Sequence, residues 1–157
     1  GEPGEIVVRG PAVMSGYWER PEATAETLKH GWLHTGDLGR RDDQGFIYVL
    51  DRLKDMIITG GQNVYAREVE DALGRCSGVT AVAVVGIPDR KWGEAVTAAV
   101  VRDPNGSLSE DDLVAFSSRN LAAFKRPKRF IFLPELPTSA YGKVLKRELR
   151  DQLARQS

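Results

Sequence analysis

Lys143 closes the run Pro137-Thr-Ser-Ala-Tyr-Gly-Lys and stands just ahead of a stretch rich in Lys and Arg. Pro, Ser and Gly make this run a poor helix and a poor strand, so it reads as a loop with one cation at its tip. A phosphate-cradling loop needs G-x-x-x-x-G-K-[ST]. Here Pro137 stands at the first glycine position and Val144 at the hydroxyl position, so the pattern is broken at both ends. Lys143 is therefore expected to act as a mobile point charge on a flexible stem rather than within a backbone cradle. A solvated surface lysine is the plainer alternative.

Two further stretches carry chemistry. In "LHTGDLG", Asp37 follows Gly36 and precedes a strand. A carboxylate beside a glycine can accept from both hydroxyls of a ribose, as the acid of dinucleotide folds does; alone, Thr-Gly-Asp is also a common turn. In "MIITGGQNV", Gly60 and Gly61 follow an apolar strand, where paired glycines permit a ligand to approach the backbone or simply make a tight turn into the next element. The chain has two histidines and one cysteine, Cys76, far apart in sequence, so no metal cluster is expected and no Ser-His-Asp or Cys-His arrangement is visible.

The elements that must position these residues follow from pattern. Apolar content of 41% and charged content of 28% are ordinary for a globular protein, and 157 residues suffice for one domain or a small domain plus part of another. A single cysteine excludes an internal disulfide and suits a reducing compartment, here the cytoplasm. No run is long enough to span a membrane. The opening "GEPGEIVVRG" lacks a methionine and reads as the inside of a longer protein. Charge is uneven: residues 1–51 have 5 Lys/Arg against 9 Asp/Glu, whereas residues 119–157 have 10 against 3. Such a cationic end could meet phosphates or an acidic partner, or be a solvated basic helix.

Strands are predicted at Glu5–Gly10, in a hairpin spanning 37–52 around Asp42-Asp43-Gln44-Gly45, at 54–61, and in an antiparallel pair "VTAVAVVGI" and "EAVTAAVVRD" joined by "PDRKWG"; "KRFIFLP" is a further strand. Helices are predicted over 20–31, over 65–76 with Val69, Ala72 and Leu73 on one face, over 108–122 with a Ser109–Asp112 capping box, and from Val144 to about Ala154. The pattern changes near Asp51-Arg52, and Arg52-Leu53-Lys54-Asp55 reads as a solvated hinge, or as an ordinary turn. The fold class is α+β. Residues 56–157 form a small, mostly antiparallel sheet of about three strands with packed helices, and residues 1–51 form a β-rich tail of a larger body.

Taken together, "GEIVVRGPAVMSGYW", "GWLHTGDLG", "DRLKDMIITGGQNVYAREVE", "FKRPKRF" and "PTSAYGKVLKREL", in that order, closely resemble the C-terminal portion of the adenylate-forming superfamily over nearly the whole chain. That superfamily holds acyl-CoA synthetases, peptide-synthetase adenylation domains and beetle luciferases, and the tone is of a fatty-acid or aromatic-acid CoA ligase. The resemblance implies two half-reactions. A carboxylate attacks the α-phosphate of ATP, giving acyl-AMP and pyrophosphate, and coenzyme A then displaces AMP. Residues 56–157 would be the small C-terminal lid, which rotates between the steps, and residues 1–51 the end of the large AMP-binding body.

By this resemblance Asp37 and Arg52 contact the nucleotide, Lys54 is the hinge residue, and Lys143 reaches the carboxylate and α-phosphate during adenylation. Gly60 and Gly61 face the pantetheine arm. Trp92 and Phe124 lie against coenzyme A, or pack in the core, and Arg126 and Lys128 are phosphate partners. His34 departs from the aromatic that many relatives carry before Thr-Gly-Asp. The acyl pocket and the residues that manage magnesium lie upstream in the family, so this fragment alone is expected to be inactive and its acid substrate is not readable. "PTSAYGK" also fits the pattern around a lysine that is reversibly acetylated in some bacterial relatives. Two alternatives stand beside the ligase: an adenylation domain loading a carrier protein, and a non-catalytic polyanion-binding module using the basic end. Nucleic acid is not expected, because aromatics do not interleave that end. Apolar faces left without their upstream partner could support a homodimer.

Overall fold

The computed structural model describes residues 1–155. The chain falls into two compact units, Gly1–Lys54 and the remainder from Asp55, and the class is α+β, with two small sheets.

The first unit is an antiparallel sheet of β1 (Gly4–Val8), β2 (Leu28–Lys29), β3 (Trp32–Arg41) and β4 (Ile47–Arg52), with α1 over Pro21–Thr27. Strand β3 is central and pairs with the other three. Pro21 occupies the first helical turn, where its missing N–H costs nothing. The helix is shorter than predicted. Leu28 already has extended backbone, and Leu28–Lys29 fold back on Leu33–Trp32 around His30 and Gly31, both at positive φ. The 37–52 hairpin forms, with Asp42 accepting the N–H groups of Gln44 and Phe46. Phe46, just before β4, and Ile47, Tyr48 and Val49 on it are exposed, as are Val7 and Val8 on β1. A strand exposed on both faces has apolar surface with no cover from within its own unit.

The second unit holds β5 (Ile57–Thr59), β6 (Gln62–Val64), α2 (Ala66–Leu73), β7 (Val79–Asp89), β8 (Gly93–Arg102), α3 (Glu110–Asn120), β9 (Arg129–Phe132) and α4 (Lys146–Ala154). Its sheet has five strands, and β9 runs parallel to β8 while the other pairs are antiparallel. The three-stranded expectation undercounted because residues 54–64 are not one strand ended by glycines. They fold into a β5–β6 hairpin, with Ile57, Ile58 and Thr59 opposite Val64, Asn63 and Gln62. Gly60 and Gly61, at φ +55° and +76°, are its two central turn residues, a geometry that residues with a Cβ adopt poorly.

Strands β7 and β8 read as unbroken apolar runs because both faces of the sheet are covered. Val84, Val96, Ala98 and Val100 join Val69, Leu73 and Leu113 on the α2/α3 face. Ala83, Val85, Ile87 and Ala99 join Leu149 and Leu153 of α4 on the other. Helix α3 starts at the predicted capping box: Asp112 N–H donates to Ser109 Oγ at 3.2 Å and Ser109 N–H to Asp112 Oδ2 at 3.0 Å. Helix α4 begins at Lys146 rather than Val144, because Val144 is held in a β-bridge to Thr138.

Candidate functional site

The predicted residues fall into three places, one in the first unit and two in the second. In the first unit Asp37 and Arg52 are direct cross-strand partners on β3 and β4. Arg52 Nε donates to Asp37 Oδ1 at 2.9 Å, with both side chains accessible, at 47% and 32%. The turn before Asp37 is organised by His34 together with Glu5 and Thr35, two residues that the sequence reading passed over. Glu5 on β1 pairs with His34 Nδ1 at 2.7 Å and accepts the Gly36 N–H at 3.0 Å. Thr35 Oγ1 donates to the Ile6 carbonyl at 2.7 Å and accepts the Asp37 N–H at 3.1 Å. The hydrogen bond from His34, with further help from Gly36, holds the Glu5 carboxyl below its ordinary value. His34 is thus tied to β1. Lys54 follows in the short 3₁₀ turn Leu53–Asp55, exposed.

In the second unit, Gly60, Trp92, Phe124 and Lys128 line one groove of about 370 Å³, together with Thr59, Gln62 and Ala123. Three separated segments build it: the β5–β6 turn, the β7–β8 turn and the stretch after α3. Gly60 N–H donates to the Trp92 carbonyl at 2.8 Å. A Cβ added at Gly60 would lie 3.3 Å from Trp92 Cε3, so the indole rests on a bare backbone. Trp92 is itself placed by Asp89, whose Oδ1 accepts the N–H of Lys91 at 2.8 Å and of Trp92 at 3.1 Å. Those two backbone bonds hold the Asp89 carboxyl below its ordinary value. The ammoniums of Lys128 and Lys91 stand 4.8 Å and 4.9 Å from the Trp92 ring centroid, which gives the indole a cationic border. Such a groove suits a slender ligand that ends in an aromatic, anionic group.

Gly61 adjoins the groove but does not line it. Arg126 is elsewhere: Nε donates to the Leu121 carbonyl at 3.0 Å and Nη2 to the Ser118 carbonyl at 2.9 Å, closing the end of α3. Lysine at a helix end would satisfy fewer such orphan carbonyls than the guanidinium fork does.

The third place is the Lys143 tip. The predicted loop is a tight hairpin. Ser139 N–H donates to the Lys143 carbonyl at 2.8 Å, Gly142 N–H to the Ser139 carbonyl at 2.9 Å, and Leu145 N–H to the Pro137 carbonyl at 2.8 Å. Gly142, at φ +75°, takes the left-handed turn position, with nothing within 4 Å of where a Cβ would be. The backbone is thus fixed, and the freedom expected of Lys143 belongs to its side chain. That side chain is exposed, with no hydrogen-bond or ion-pair partner among the described residues. Behind it α4 is pinned by Lys146–Glu70 at 2.7 Å and Arg150–Asp55 at 3.6 Å. No group of three or more His, Cys, Asp or Glu that could hold a metal occurs among the described residues. No helix among them is long and apolar enough to cross a membrane.

Comparison with known proteins places this geometry. Residues 68–143 match the family described as "AMP-binding enzyme C-terminal domain". A long-chain-fatty-acid–CoA ligase of Escherichia coli O157:H7 is 53% identical over 97% of this chain, which spans 27% of that protein. A feruloyl-CoA synthase of an Amycolatopsis species is 52% identical over 96% of the chain and 30% of its own length. The crystal structure of ATP-bound MatB from Rhodopseudomonas palustris superposes with a TM-score of 0.91 at 42% identity, covering 98% of this chain and 31% of that one. The chain thus spans under a third of the length of these relatives. It belongs to the AMP-binding, adenylate-forming enzymes, as their C-terminal part.

Proposed function

We propose that the full-length protein containing this chain is an acid–thiol ligase. It activates a carboxylic acid with ATP as an acyl-adenylate, releasing pyrophosphate, and then passes the acyl group to the thiol of coenzyme A with release of AMP. The observation that supports this most is the groove. Gly60, Trp92, Phe124 and Lys128, from three segments, meet on one surface where a bare backbone lies against an indole bordered by cations. A pantetheine arm needs the first and an adenine with phosphates the second.

Each step asks something different of the chain. For adenylation, Asp37 and Arg52 hold the ribose side of the nucleotide. The Asp37 oxygen not engaged by Arg52 is the acceptor for a hydroxyl, and Arg52 keeps the carboxylate aimed. The Lys143 ammonium meets the negative charge that develops as carboxylate oxygen bonds to the α-phosphorus and pyrophosphate departs. For thioester formation the second unit turns about Arg52–Asp55, with Lys54 as the pivot, which withdraws Lys143 and presents the groove to the acyl-adenylate. Gly60 keeps that wall thin and Gly61 completes the turn that presents it, while Arg126 acts from behind by fixing the turn after α3. Magnesium, where it serves the nucleotide, is assigned to the upstream body, and no step of this chain's residues is routed through it. The same upstream body is what covers the exposed apolar strand Phe46–Val49.

The polyanion-binding alternative loses support from the ion pairs. Four cations of the basic end, Lys125, Arg129, Lys146 and Arg150, are paired with Glu68, Asp89, Glu70 and Asp55. Much of the excess charge is therefore neutralised by acids from earlier in the chain. A reducing compartment such as the cytoplasm fits Cys76, whose thiol burial pushes up and leaves unreactive.

Pyrophosphate release by the full-length protein, with ATP, magnesium and a panel of carboxylic acids, with and without coenzyme A, tests the proposal. Release that depends on one acid and yields its CoA thioester is the expected result. Release without any acyl-CoA would transfer the reading to a carrier-protein acceptor, and absence of acid-dependent release would overturn it.

A further inference from the structure

Asp37 is presented by an irregularity in the pairing of β1 with β3. Glu5 lies opposite Leu38 and Val7 opposite His34, so a single residue of β1, Ile6, faces three of β3: Thr35, Gly36 and Asp37. A bulge of this kind interrupts the regular ladder and re-aims the side chains it carries, and bulges are over-represented beside active sites. Side chains take the backbone groups at the interruption. Glu5 Oε1 accepts the Gly36 N–H at 3.0 Å, and Thr35 Oγ1 accepts the Asp37 N–H at 3.1 Å. The same Thr35 hydroxyl donates to the Ile6 carbonyl at 2.7 Å, and Glu5 Oε2 is held by His34 Nδ1 at 2.7 Å. On its other side Asp37 stands directly across from Arg52 of β4. A half-buried carboxylate is a costly choice on a short strand, since charge loses hydration there and Glu is a poor strand former. A fold that needed only to pair β1 with β3 would be served by a regular ladder, which asks for no carboxylate.

We infer that Glu5 and Thr35 are positioning residues for the nucleotide, holding the bulge of β3 in the shape that aims the Asp37 carboxylate. The inference rests on the reading of Asp37 as the acceptor for ribose hydroxyls. Neither residue touches the nucleotide in this scheme. Glu5 acts through the Gly36 amide and Thr35 through the Asp37 amide, and His34 keeps the Glu5 carboxylate turned to its task. Arg52 fixes one carboxylate oxygen from β4, while the bulge fixes the backbone from the side of β1. Hydrogen bonds between a carboxylate and two hydroxyls depend steeply on direction, so a bulge that relaxes loses binding although Asp37 itself is intact. The ribose is held alike before and during reaction, so the loss falls on KM for ATP and leaves kcat nearly unchanged.

The test measures acid-dependent pyrophosphate release by the full-length protein carrying Glu5→Ala or Thr35→Val, each alone and combined with Asp37→Asn. Each single variant is expected to raise the KM for ATP about three- to tenfold, the range for one net hydrogen bond, at nearly unchanged kcat. Glu5→Gln, which keeps an oxygen for the Gly36 N–H, and Thr35→Ser, which keeps the hydroxyl, restore most of the loss. In the Asp37→Asn background the same substitutions add less than about twofold, because they act through the carboxylate already removed. A purely structural role would lower the folded fraction, and so the apparent kcat, in both backgrounds alike. Should Glu5→Ala fail to fold, the volume-conserving Thr35→Val and its serine rescue decide the matter. An unchanged KM, or a rise that persists in full beside Asp37→Asn, overturns the inference. Asp37→Asn alone separates the two levels. If it raises the KM while Glu5→Ala and Thr35→Val do not, only the positioning inference fails. If none of the three moves the KM, the reading of Asp37 falls with it.

Discussion

Glu70 on α2 and Lys146 on α4 meet at 2.7 Å, and the same Glu70 oxygen accepts the Val84 N–H of β7 at 2.8 Å. Strand β7 is a sheet edge, so one carboxylate caps an open backbone donor and also anchors the helix that follows the Lys143 hairpin. Both side chains are mostly buried, at 17% and 20% exposure, so the pair is shielded from screening. Glu70→Gln keeps an oxygen for Val84 and removes only the charge. It is expected to cost on the order of 2 kcal/mol in urea unfolding, and Glu70→Ala more, because Val84 is then also left unpaired. Equal losses for the two variants would show that the edge cap contributes nothing.

At the nucleotide side, magnitudes separate binding from stability. The Asp37–Arg52 pair is accessible enough to contribute less than about 1 kcal/mol to folding. Hydrogen bonds from ribose hydroxyls to an ionised carboxylate are worth about 1.5–3 kcal/mol, or roughly 10- to 100-fold in affinity. Asp37→Asn in the full-length protein should therefore raise the KM for ATP by that factor, with a thermal midpoint within a few degrees of wild type. A large midpoint loss with little change in KM would mark the pair as structural.

Lys143 has no partner to lose among the described residues, so Lys143→Ala should fold as wild type does. Removing a charge donor aimed at the transferring centre typically lowers the rate about 10²–10³-fold. That loss should fall on adenylation rather than on thioester formation from a preformed acyl-adenylate. Acetylation of Lys143 removes the same charge and should reproduce the loss. Full-rate pyrophosphate release by either form would remove Lys143 from the chemistry.

The turn that holds Trp92 should be pH-dependent. The Lys91 and Trp92 N–H groups bond the ionised form of Asp89, so its carboxyl titrates below its ordinary value. A lowered pKa in the folded state means that the stabilisation is fully present above the ordinary value and is lost as pH falls through the lowered one. Amide chemical shifts of Lys91 and Trp92 should therefore be flat from neutral pH down to about pH 4 and move below it. Asp89→Asn, which still offers a carbonyl oxygen, should abolish that movement. A transition near neutral pH would assign the effect to another group.

Packing beneath the hairpin gives the last expectation. Leu149 is fully buried between α4 and the sheet. Leu149→Ala should cost about 2–5 kcal/mol in unfolding experiments. Adenylation should also fall, because the helix behind Lys143 loses its seat.

The particular elements explain what was legible in advance. Capping at Ser109–Asp112 and the β7–β8 pair were readable because they depend on residues close in sequence or on long unbroken apolar runs. The glycines at 60–61 announced a turn, yet whether it led to a helix or to a returning strand depended on Gln62–Val64. That is a polar-to-apolar triplet too short to show a period, and its pairing was settled by β5. The same holds for β9, whose parallel register on β8 required α3 to cross the sheet first. Asp37, Gly60, Trp92, Phe124, Lys128 and Lys143 could be named from residue type, spacing and resemblance. Glu5, Thr35, Asp89 and Glu70 could not, because their importance lies in what they touch. Glu5 reaches His34 across 29 positions and Glu70 reaches Val84 across 14. By itself, then, the sequence determined the chemical inventory, the local turns and the apolar runs that bury both faces of β7 and β8, since each is encoded within a few residues. The tertiary structure alone decided that three distant segments form one groove, that Arg126 closes a helix instead of lining that groove, and that the Thr59 hydroxyl is buried without a partner among the described residues. These are questions of distance between residues far apart in the chain, and only the packed core sets those distances.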